Sequence, residues 1–258
     1  MDYTDVLKDV KKILIKTGKY QLEKFHSRDF EFDTKSTIVD LVTEVDLESE
    51  RMILDYLQSK YPDVSSLSEE RGETLVSGEY RWILDPLDGT TNFAQGLPIF
   101  AISIALVKND ISVMGAVYNP SLNEFFHAIK GEGAYLNDRK IEVSERLELE
   151  QCVLATGFSY SRADDMHNNL DAFSYFAPSV RGLRRLGSAS YDMCNVARGA
   201  IDGYWEMNLR IWDVAAGDVI IKEAGGSIVY FEQKDGISLV CGNDHICGIL
   251  YKKISEYL

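Results

Sequence analysis

The chain has little of what several common site chemistries require. Its four cysteines follow neither CxxC nor zinc-ligand spacing, and each lies in an apolar context, which favours buried free thiols in a reducing cytosol. They are Cys152, Cys194, Cys241 and Cys247. None of the four histidines lies in a recognisable motif. No apolar run approaches the length of a membrane span, and residues 1–5 lack the basic-then-apolar pattern of a signal peptide. We therefore expect a soluble cytoplasmic protein without a membrane partner.

Basic residues are also scarce relative to acids. With 27 Lys and Arg against 41 Asp and Glu, the formal net charge is 27 minus 41, or -14. So acidic a surface repels nucleic acid and anionic membranes, so we expect no nucleic-acid partner. It repels phosphate esters as well, so a phosphate site here would need metal ions or helix termini to invert the local field.

What is present is enough apolar residue to bury a large core. The chain has 258 residues, 45% of them hydrophobic, and no internal repeat or linker interrupts it. This predicts one unit over residues 1–258, made of two intimate halves that meet near 145–152. An amphipathic helix from about Tyr3 to Phe25 and a second helix after Asp46 precede a largely antiparallel meander over the region 98–141.

The second half alternates strands and helices, which argues for helices packed between or against two sheets. The predicted order is strand Cys152–Thr156, helix about Asp164–Phe176, strand Val180–Leu186, helix Ala189–Arg198, strand Asp202–Glu206, helix Val214–Ala224 and strand Ser227–Phe231.

The stretch Trp82–Asn92 organises the rest. An apolar run from Tyr80 to Leu84 predicts a buried strand that stops at Asp85, after which a turn carries a second acid, Asp88. Two carboxylates so close repel unless a cation lies between them. Oxygen ligands of this kind suit Mg²⁺.

The same turn offers further groups to a ligand. The carbonyl of Leu87 is a third oxygen, and the Gly89 and Thr90 amides at a predicted helix start can hold an anion. A plain strand-to-helix turn, with Asp88 as a cap, is the alternative from residue type alone.

The sequence lacks the residue patterns of three other mechanisms for cleaving a phosphate ester. The chain has no histidine motif, no C-x5-R and no D-x-D after the strand. What is left is direct attack on phosphorus by a metal-activated water.

The undecapeptide Trp82–Asn92 closely resembles the signature of the inositol monophosphatase family, and Trp212–Gly217 resembles its second signature. The resemblance implies an α/β (α+β) fold, a layered α-β-α-β-α sandwich of the inositol monophosphatase or fructose-1,6-bisphosphatase type. It also implies two or three Mg²⁺ ions per site, lithium sensitivity, a small-molecule phosphate ester as substrate and a homodimer.

The resemblance further assigns roles by position. The implied metal ligands are Glu69, Asp85, the Leu87 carbonyl, Asp88 and Asp213. Glu69 paired with Thr90 would take a proton from the attacking water. Asp46, supported by Asp40, would be a further catalytic carboxylate that lies behind the metal ligands or binds a third metal ion. The implied substrate contacts are Lys35, Asp88, Gly89, Thr90, Arg185, Gly187, Ser188, Ala189, Glu206 and Asp213.

Residue type alone leaves alternatives open at several of these positions. Thr43 and Asp46 also form a capping-box-like pair, and both roles are compatible. Ser188 and Asp213 could be plain helix N-caps, and a cap at Ser188 need not exclude ligand contact. Lys35, Glu69 and Glu206 could each be an ordinary surface residue.

Two functional classes follow. The first is a Mg²⁺-dependent phosphomonoesterase acting on inositol monophosphate or a related sugar or polyol phosphate. Fructose 1,6-bisphosphate, 3'-phosphoadenosine 5'-phosphate and NADP are alternatives in the same class, for which Arg181, Arg184 and Arg185 could serve a second phosphate. The second class is a non-catalytic regulatory binding protein on the same fold.

Overall fold

The computed structural model describes residues 1–34, 41–76, 78–159, 169–232 and 236–258. Helices in these ranges are α1 (Tyr3–Ser27), α2 (Glu44–Lys60), α3 (Thr90–Gln95), α4 (Leu170–Phe176), α5 (Ala189–Ala197), α6 (Ile211–Glu223) and α7 (Asp244–Ile254). Within the part of the chain so described, no helix has both the length and the apolar character needed to cross a bilayer.

Most strands belong to the first half of the chain. They are β1 (Phe32–Thr34), β2 (Leu41–Thr43), β3 (Ser65–Ser68), β4 (Gly72–Thr74), β5 (Tyr80–Asp88), β6 (Ala101–Lys108), β7 (Ile111–Asn119), β8 (Glu124–Ile129), β9 (Gly133–Leu136) and β10 (Arg139–Ile141). The second half contributes β11 (Val153–Thr156), β12 (Gly182–Arg184), β13 (Gly203–Leu209), β14 (Ser227–Phe231) and β15 (Ile237–Gly242).

The larger sheet has eight strands in the order β10-β9-β8-β7-β6-β5-β3-β4. Successive strands from β5 to β10 pair antiparallel. The part from β6 to β10 is the meander predicted over the region 98–141, in which short turns join the strands, whereas α3 lies between β5 and β6. β3 instead pairs with β5 in parallel, opposite Leu84 at its last residue, Ser68. This pairing places the residue after β3, Glu69, beside Asp85.

The smaller sheet has five strands in the order β12-β11-β13-β15-β14. β11 lies parallel to both of its neighbours, while β15 runs antiparallel to β13 and β14. The last strand of the first sheet ends at Ile141 and this sheet begins at Val153, so the predicted junction at 145–152 falls between the two sheets.

Three apolar clusters show how the layers stack. One joins α1 and α2 to the outer face of the large sheet, and includes Leu14, Ile53 and Trp82. A second fills the space between the two sheets around α5 and α6. A third covers the far face of the small sheet with α4 and α7. The α-β-α-β-α arrangement expected from the sequence is therefore confirmed.

Several elements differ from the prediction. β5 continues to Asp88 rather than stopping at Asp85, because a register shift in its pairing with β6 accommodates the turn residues. The sequence predicts a loop over the region 65–73, but the structure has β3 and the start of β4 there, because the residues of β3 pair with β5 and with β4. α6 begins at Ile211, so Asp213 is its third residue and not its cap.

Three further elements were not predicted. β1 lies within the stretch 30–40, which the sequence predicts to be irregular, and β15 and α7 carry no sequence prediction. Lys35, Asp40 and the first residues of the predicted helix 164–176 lie outside the described residues. The four cysteines are buried free thiols, as expected.

Candidate functional site

The site begins where β5 ends. Asp85 is 2% exposed, and one of its carboxylate oxygens accepts the Leu87 N–H at 2.9 Å. The Pro86 carbonyl accepts the side-chain amide of Gln21 from α1 at 2.8 Å, and that amide also donates to Ser49 on α2. Two helices therefore hold the turn between the acids in place.

Asp88 reaches from the same turn to the start of α5. Its carboxylate accepts the Ser188 hydroxyl at 2.8 Å, the Ser190 amide at 2.7 Å and the Ser190 hydroxyl at 2.5 Å. The Ala189 amide adds a bond of 3.2 Å. The Ser188 hydroxyl therefore donates to Asp88 and makes no cap bond to its own helix. Asp88 serves as the anion at this helix N-terminus.

Asp213 enters the site from the first turn of α6. One of its carboxylate oxygens accepts the Arg210 amide at 2.6 Å, which is the bond a third helical residue makes back to its cap. Ser103 on β6 donates to the Trp212 carbonyl at 3.3 Å and ties this helix start to the large sheet. Glu69 is fixed from the other side, with its amide donating to the Leu84 carbonyl at 3.2 Å.

Three acids of the site, Asp85, Asp88 and Asp213, have raised pKa values. Burial raises the pKa of Asp85 well above its usual range, and the charges of Glu69, Asp88 and Asp213 raise it further. Burial and Asp88 likewise raise the pKa of Asp213, with Glu69 and Glu206 adding to it. Burial raises the pKa of Asp88 against the opposing hydrogen bonds from Ser188, Ser190 and Ala189. A shared cation would relieve this repulsion.

A further buried acid, Asp46, lies in the first turn of α2. The predicted capping box is confirmed: Thr43 Oγ1 accepts the Val45 amide, and the Asp46 carboxylate accepts the Thr43 amide at 2.8 Å. The same carboxylate lies 2.9 Å from the Thr90 hydroxyl, which is also 3.0 Å from the Leu87 carbonyl. Burial raises the pKa of Asp46 to about 7. Both roles considered for Asp46 are therefore compatible with its position.

The start of α3 packs against the turn before α5. Gly89 has φ +98° and is the N-cap of α3, where a Cβ would lie 2.9 Å from the Ile99 carbonyl and 3.2 Å from that of Gly187. Asn92 Nδ2 donates to the carbonyls of Ile99 and Leu186, each at 2.7 Å. The predicted residues 89–90 and 187–189 therefore lie side by side.

Glu206 stands on β13 near this turn. Burial raises its pKa to about 7, while a hydrogen bond from the buried Tyr204 hydroxyl and the charge of Arg185 lower it. Its carboxylate occupies the place that a Cβ on Gly157 would need, 2.0 Å from one carboxylate oxygen. Glu206 is therefore held inside the site and is not a plain surface residue.

The donor set fits Mg²⁺ in its chemistry. The acids offer oxygen atoms only, and the buried cysteines contribute nothing to the turn. Within the described ranges, no three Asp, Glu, His or Cys side chains are already arranged to hold an ion. In particular, Asp88 and Asp213 direct oxygens to amides of α5 and α6.

Four residues of the site were missed in the sequence, namely Gly157, Ser190, Asp192 and Tyr204. Ser190 and Tyr204 look like ordinary helix and strand residues, and only the meeting of distant elements gives them a role. For Ser190, its spacing two residues after Ser188 is the one available signal, because the first amides of a helix point the same way.

The structure is a layered α/β sandwich in which buried acids lie at the end of β5, a strand of the larger sheet. The model of the inositol monophosphatase family matches residues 2–255. The chain belongs to the inositol monophosphatase family.

Individual relatives agree with this assignment. An "Inositol-1-monophosphatase" of Synechocystis sp. is 44% identical over 194 residues, which is 75% of this chain and 68% of the relative. A "Nus factor SuhB" of Haemophilus influenzae is 40% identical over 220 residues, covering 84% of this chain and 82% of the relative. The crystal structure of the extragenic suppressor protein suhB from Bartonella henselae superposes with a TM-score of 0.89 at 34% identity, over 98% of this chain and 100% of that one.

Proposed function

We propose that the protein is a Mg²⁺-dependent phosphomonoesterase that hydrolyses inositol monophosphate or a related small sugar or polyol phosphate. The observation that carries this proposal is the group of four acids at the end of β5, in which the charges of Glu69 and Asp88 raise the pKa of both Asp85 and Asp213. We include in it two or three Mg²⁺ ions per site, inhibition by lithium, a homodimer and a cytoplasmic location.

Glu69, Asp85, Asp88, Asp213 and the Leu87 carbonyl would hold the ions. Bound Mg²⁺ would neutralise the phosphate ester and lower the pKa of the attacking water. The protein's own contribution is a group of carboxylates placed before substrate arrives, and a bound cation would let them ionise together.

Glu69, Thr90 and Asp46 would handle the proton of the attacking water. The Thr90 hydroxyl has one proton and two acceptors in reach, the Asp46 carboxylate and the Leu87 carbonyl. With a pKa of about 7, Asp46 can exchange a proton through Thr90 near neutral pH. Glu69 would receive the proton at its own carboxylate.

The remaining contacts favour a polyol monophosphate. The amides of Gly89 and Thr90 would steady the phosphoryl oxygens, and the 187–189 turn would form one wall. Beside it, Glu206 and the buried Asp192 present acid to the rest of the substrate, with Arg185 as the nearby cation. Carboxylates accept bonds from sugar hydroxyls but repel a second phosphate. This favours inositol phosphate over fructose 1,6-bisphosphate, a nucleotide bisphosphate or NADP.

A regulatory role is the second candidate, because a relative at 40% identity is called a Nus factor. The acids of the site are retained here, which supports catalysis. The net charge of -14 disfavours direct contact with nucleic acid, though not with protein.

The test is phosphate release from a panel of esters under Mg²⁺, with inositol 1-phosphate, fructose 1,6-bisphosphate, NADP and 3'-phosphoadenosine 5'-phosphate. We expect inositol 1-phosphate to give the highest kcat/KM. Asp85→Asn should lose on the order of 10²-fold or more in rate, since it removes a carboxylate that would neutralise and hold the metal ion.

Asp218→Asn is the matched control. Asp218 lies on α6 with its side chain 16% exposed, and it binds Lys222 and Tyr230 outside the site. This variant should keep the wild-type rate. An Asp85→Asn protein as active as Asp218→Asn would contradict the mechanism, and a folded wild type inactive on every ester would favour the regulatory role.

A further inference from the structure

Glu50 is a buried acid on α2 that the proposed reaction does not use. It lies two turns after the capping box and is 0% exposed. A carboxylate removed from water requires strong partners, because isolated charges are very costly to bury. Glu50 therefore needs a structural explanation.

Its partners all lie in the segment 68–71, which is the last residue of β3 and the turn to β4. The Ser68 hydroxyl donates to Oε1 at 2.7 Å, the Arg71 amide to Oε1 at 3.0 Å and the Glu70 amide to Oε2 at 3.0 Å. The Arg71 guanidinium stands 3.8 Å away as the counter-charge. Both oxygens of Glu50 are thus used, and each by a main-chain amide.

Glu69 is the residue that these bonds enclose. Its neighbours on both sides are bonded to Glu50, and its own amide donates to the Leu84 carbonyl at 3.2 Å. Because Ser68 is in register with Leu84, these contacts fix the backbone of Glu69 beside Asp85. The strand ladder alone would not do so, since β3 ends at Ser68 and β4 begins at Gly72.

We propose that Glu50 is a positioning residue for Glu69. It binds the Ser68 hydroxyl on one side of Glu69 and the Glu70 and Arg71 amides on the other. These bonds hold the Glu69 carboxylate where it joins Asp85 in binding a divalent cation. The inference rests on the proposed function in one respect, the role of Glu69 as a metal ligand. Glu50 itself touches neither metal nor substrate.

Glu50→Gln tests this with little change of shape. An amide has one acceptor oxygen, so its NH₂ group would face a backbone N–H of Glu70 or Arg71, and one of the bonds is lost. Residues that orient metal ligands typically contribute 10- to 100-fold to metal affinity or activity. We expect the dissociation constant of Mn²⁺, measured by electron paramagnetic resonance without substrate, to rise about tenfold or more.

Glu48→Gln is the matched control on the same helix. Glu48 is partly exposed, and its carboxylate pairs with the Arg51 guanidinium. It should bind Mn²⁺ as the wild type does. In phosphate release, Glu50→Gln should require a higher Mg²⁺ concentration while the KM for the ester changes little. A role in stability alone would lower the melting temperature and leave the Mn²⁺ affinity unchanged.

Ser68→Ala covers the case in which Glu50→Gln does not fold. It removes one of the three bonds and leaves the carboxylate with both amides. We therefore expect the Mn²⁺ affinity to fall by about threefold or more, which is less than the loss expected for Glu50→Gln. Mn²⁺ affinity in Glu50→Gln equal to that in Glu48→Gln overturns the proposal. If only Ser68→Ala folds, an affinity within the error of the wild type overturns it.

The two proposals fail in different ways. A wild type that binds Mn²⁺ but releases no phosphate contradicts the enzymatic function and leaves the role of Glu50 intact, provided that Glu50→Gln weakens binding. A wild type that hydrolyses esters, with Glu50→Gln and Glu48→Gln alike in Mn²⁺ affinity, contradicts only the role of Glu50. A wild type that binds no Mn²⁺ contradicts both.

Discussion

Asp85 shows why single residues in this site oppose stability. Its carboxylate is buried, and three neighbouring acids act in the same direction as burial to disfavour its charge. The hydrogen bond from Leu87 offsets only part of this effect. A cluster of this kind is unfavourable in the metal-free protein, which is typical of sites organised for ligand and not for folding.

Gly157 offers a prediction at the same scale. In Gly157→Ala, the new Cβ would overlap the Glu206 carboxylate, so the carboxylate must leave its position. We expect the KM for inositol phosphate to rise about tenfold or more, because a substrate hydroxyl loses its acceptor, while the Mg²⁺ requirement is unchanged. Steady-state kinetics measure both quantities.

Gly248→Ala is the control, since nothing lies within 4 Å of a Cβ there on α7. That change should be neutral or stabilise by up to about 1 kcal/mol, as alanine favours a helix. A KM in Gly157→Ala equal to that of Gly248→Ala would show that Glu206 does not contact the substrate.

At the residue scale, the sequence predicted several residues of the candidate site but not the residues with which they form hydrogen bonds. Asp85, Asp88 and Asp213 could be picked out because two short signatures contain them. The acceptor bonds of Asp88 to Ser188 and Ser190 join residues about a hundred positions apart, and no local pattern encodes them. Glu50 was missed for the same reason.

At the scale of elements, α2 links helix stability to the site. Its capping Thr43 accepts the Val45 amide and also bonds the Asp46 carboxylate, and this second bond lowers the pKa of Asp46 against burial. Thr43→Ala should lower the free energy of unfolding by about 1 kcal/mol. It should also raise the pKa of Asp46 further, so the acidic limb of the rate profile moves to higher pH.

Asn243→Ala separates the two effects. Asn243 caps α7 through the Ile246 amide at 2.9 Å and lies outside the acid cluster. It should cost about 1 kcal/mol or more in chemical denaturation. Its pH profile should match the wild type. An unshifted acidic limb in Thr43→Ala would argue against a part for Asp46 in proton transfer.

Elements with strong local signals were predicted well, and others were not. The meander from β6 to β10 was predicted because apolar runs alternate with turn residues there. The region of β3 and β4 was predicted as a loop because Ser65–Ser68 has a single apolar residue, Leu67. The formation of β3 depends on its pairing with β5, which is not visible in the local sequence. The start of α6 was placed late because Asp213 looks like a cap, whereas Arg210 occupies that position.

For the whole molecule, the raised pKa values predict how stability depends on pH. Burial raises the pKa of Asp46 and of Glu206 to about 7, from 3.8 and 4.5. At a pH between the usual pKa of each group and its raised value, the folded protein binds more protons than the unfolded chain. The free energy of unfolding therefore falls as pH rises through this range. Asp85, Asp88 and Asp213 act in the same direction, whereas the lowered pKa of His127 acts in the opposite one.

We therefore expect the melting temperature of the metal-free protein to fall between pH 5 and pH 8 in a calorimetric series. Mg²⁺ should restore more stability at pH 8 than at pH 5, since it binds ionised carboxylates. Asp46→Asn combined with Glu206→Gln should flatten the metal-free curve. A melting temperature that rises across this range would contradict the prediction.

The central claim is that acids from β5, the end of β3 and the start of α6 share divalent cations. The most direct measurement is the anomalous difference density of Mn²⁺ in crystals of the wild-type protein. We predict at least one strong peak in contact with Asp85 and with Glu69, Asp88 or Asp213. Mn²⁺-saturated crystals with no peak at these carboxylates, or with peaks only elsewhere on the protein, would contradict the account.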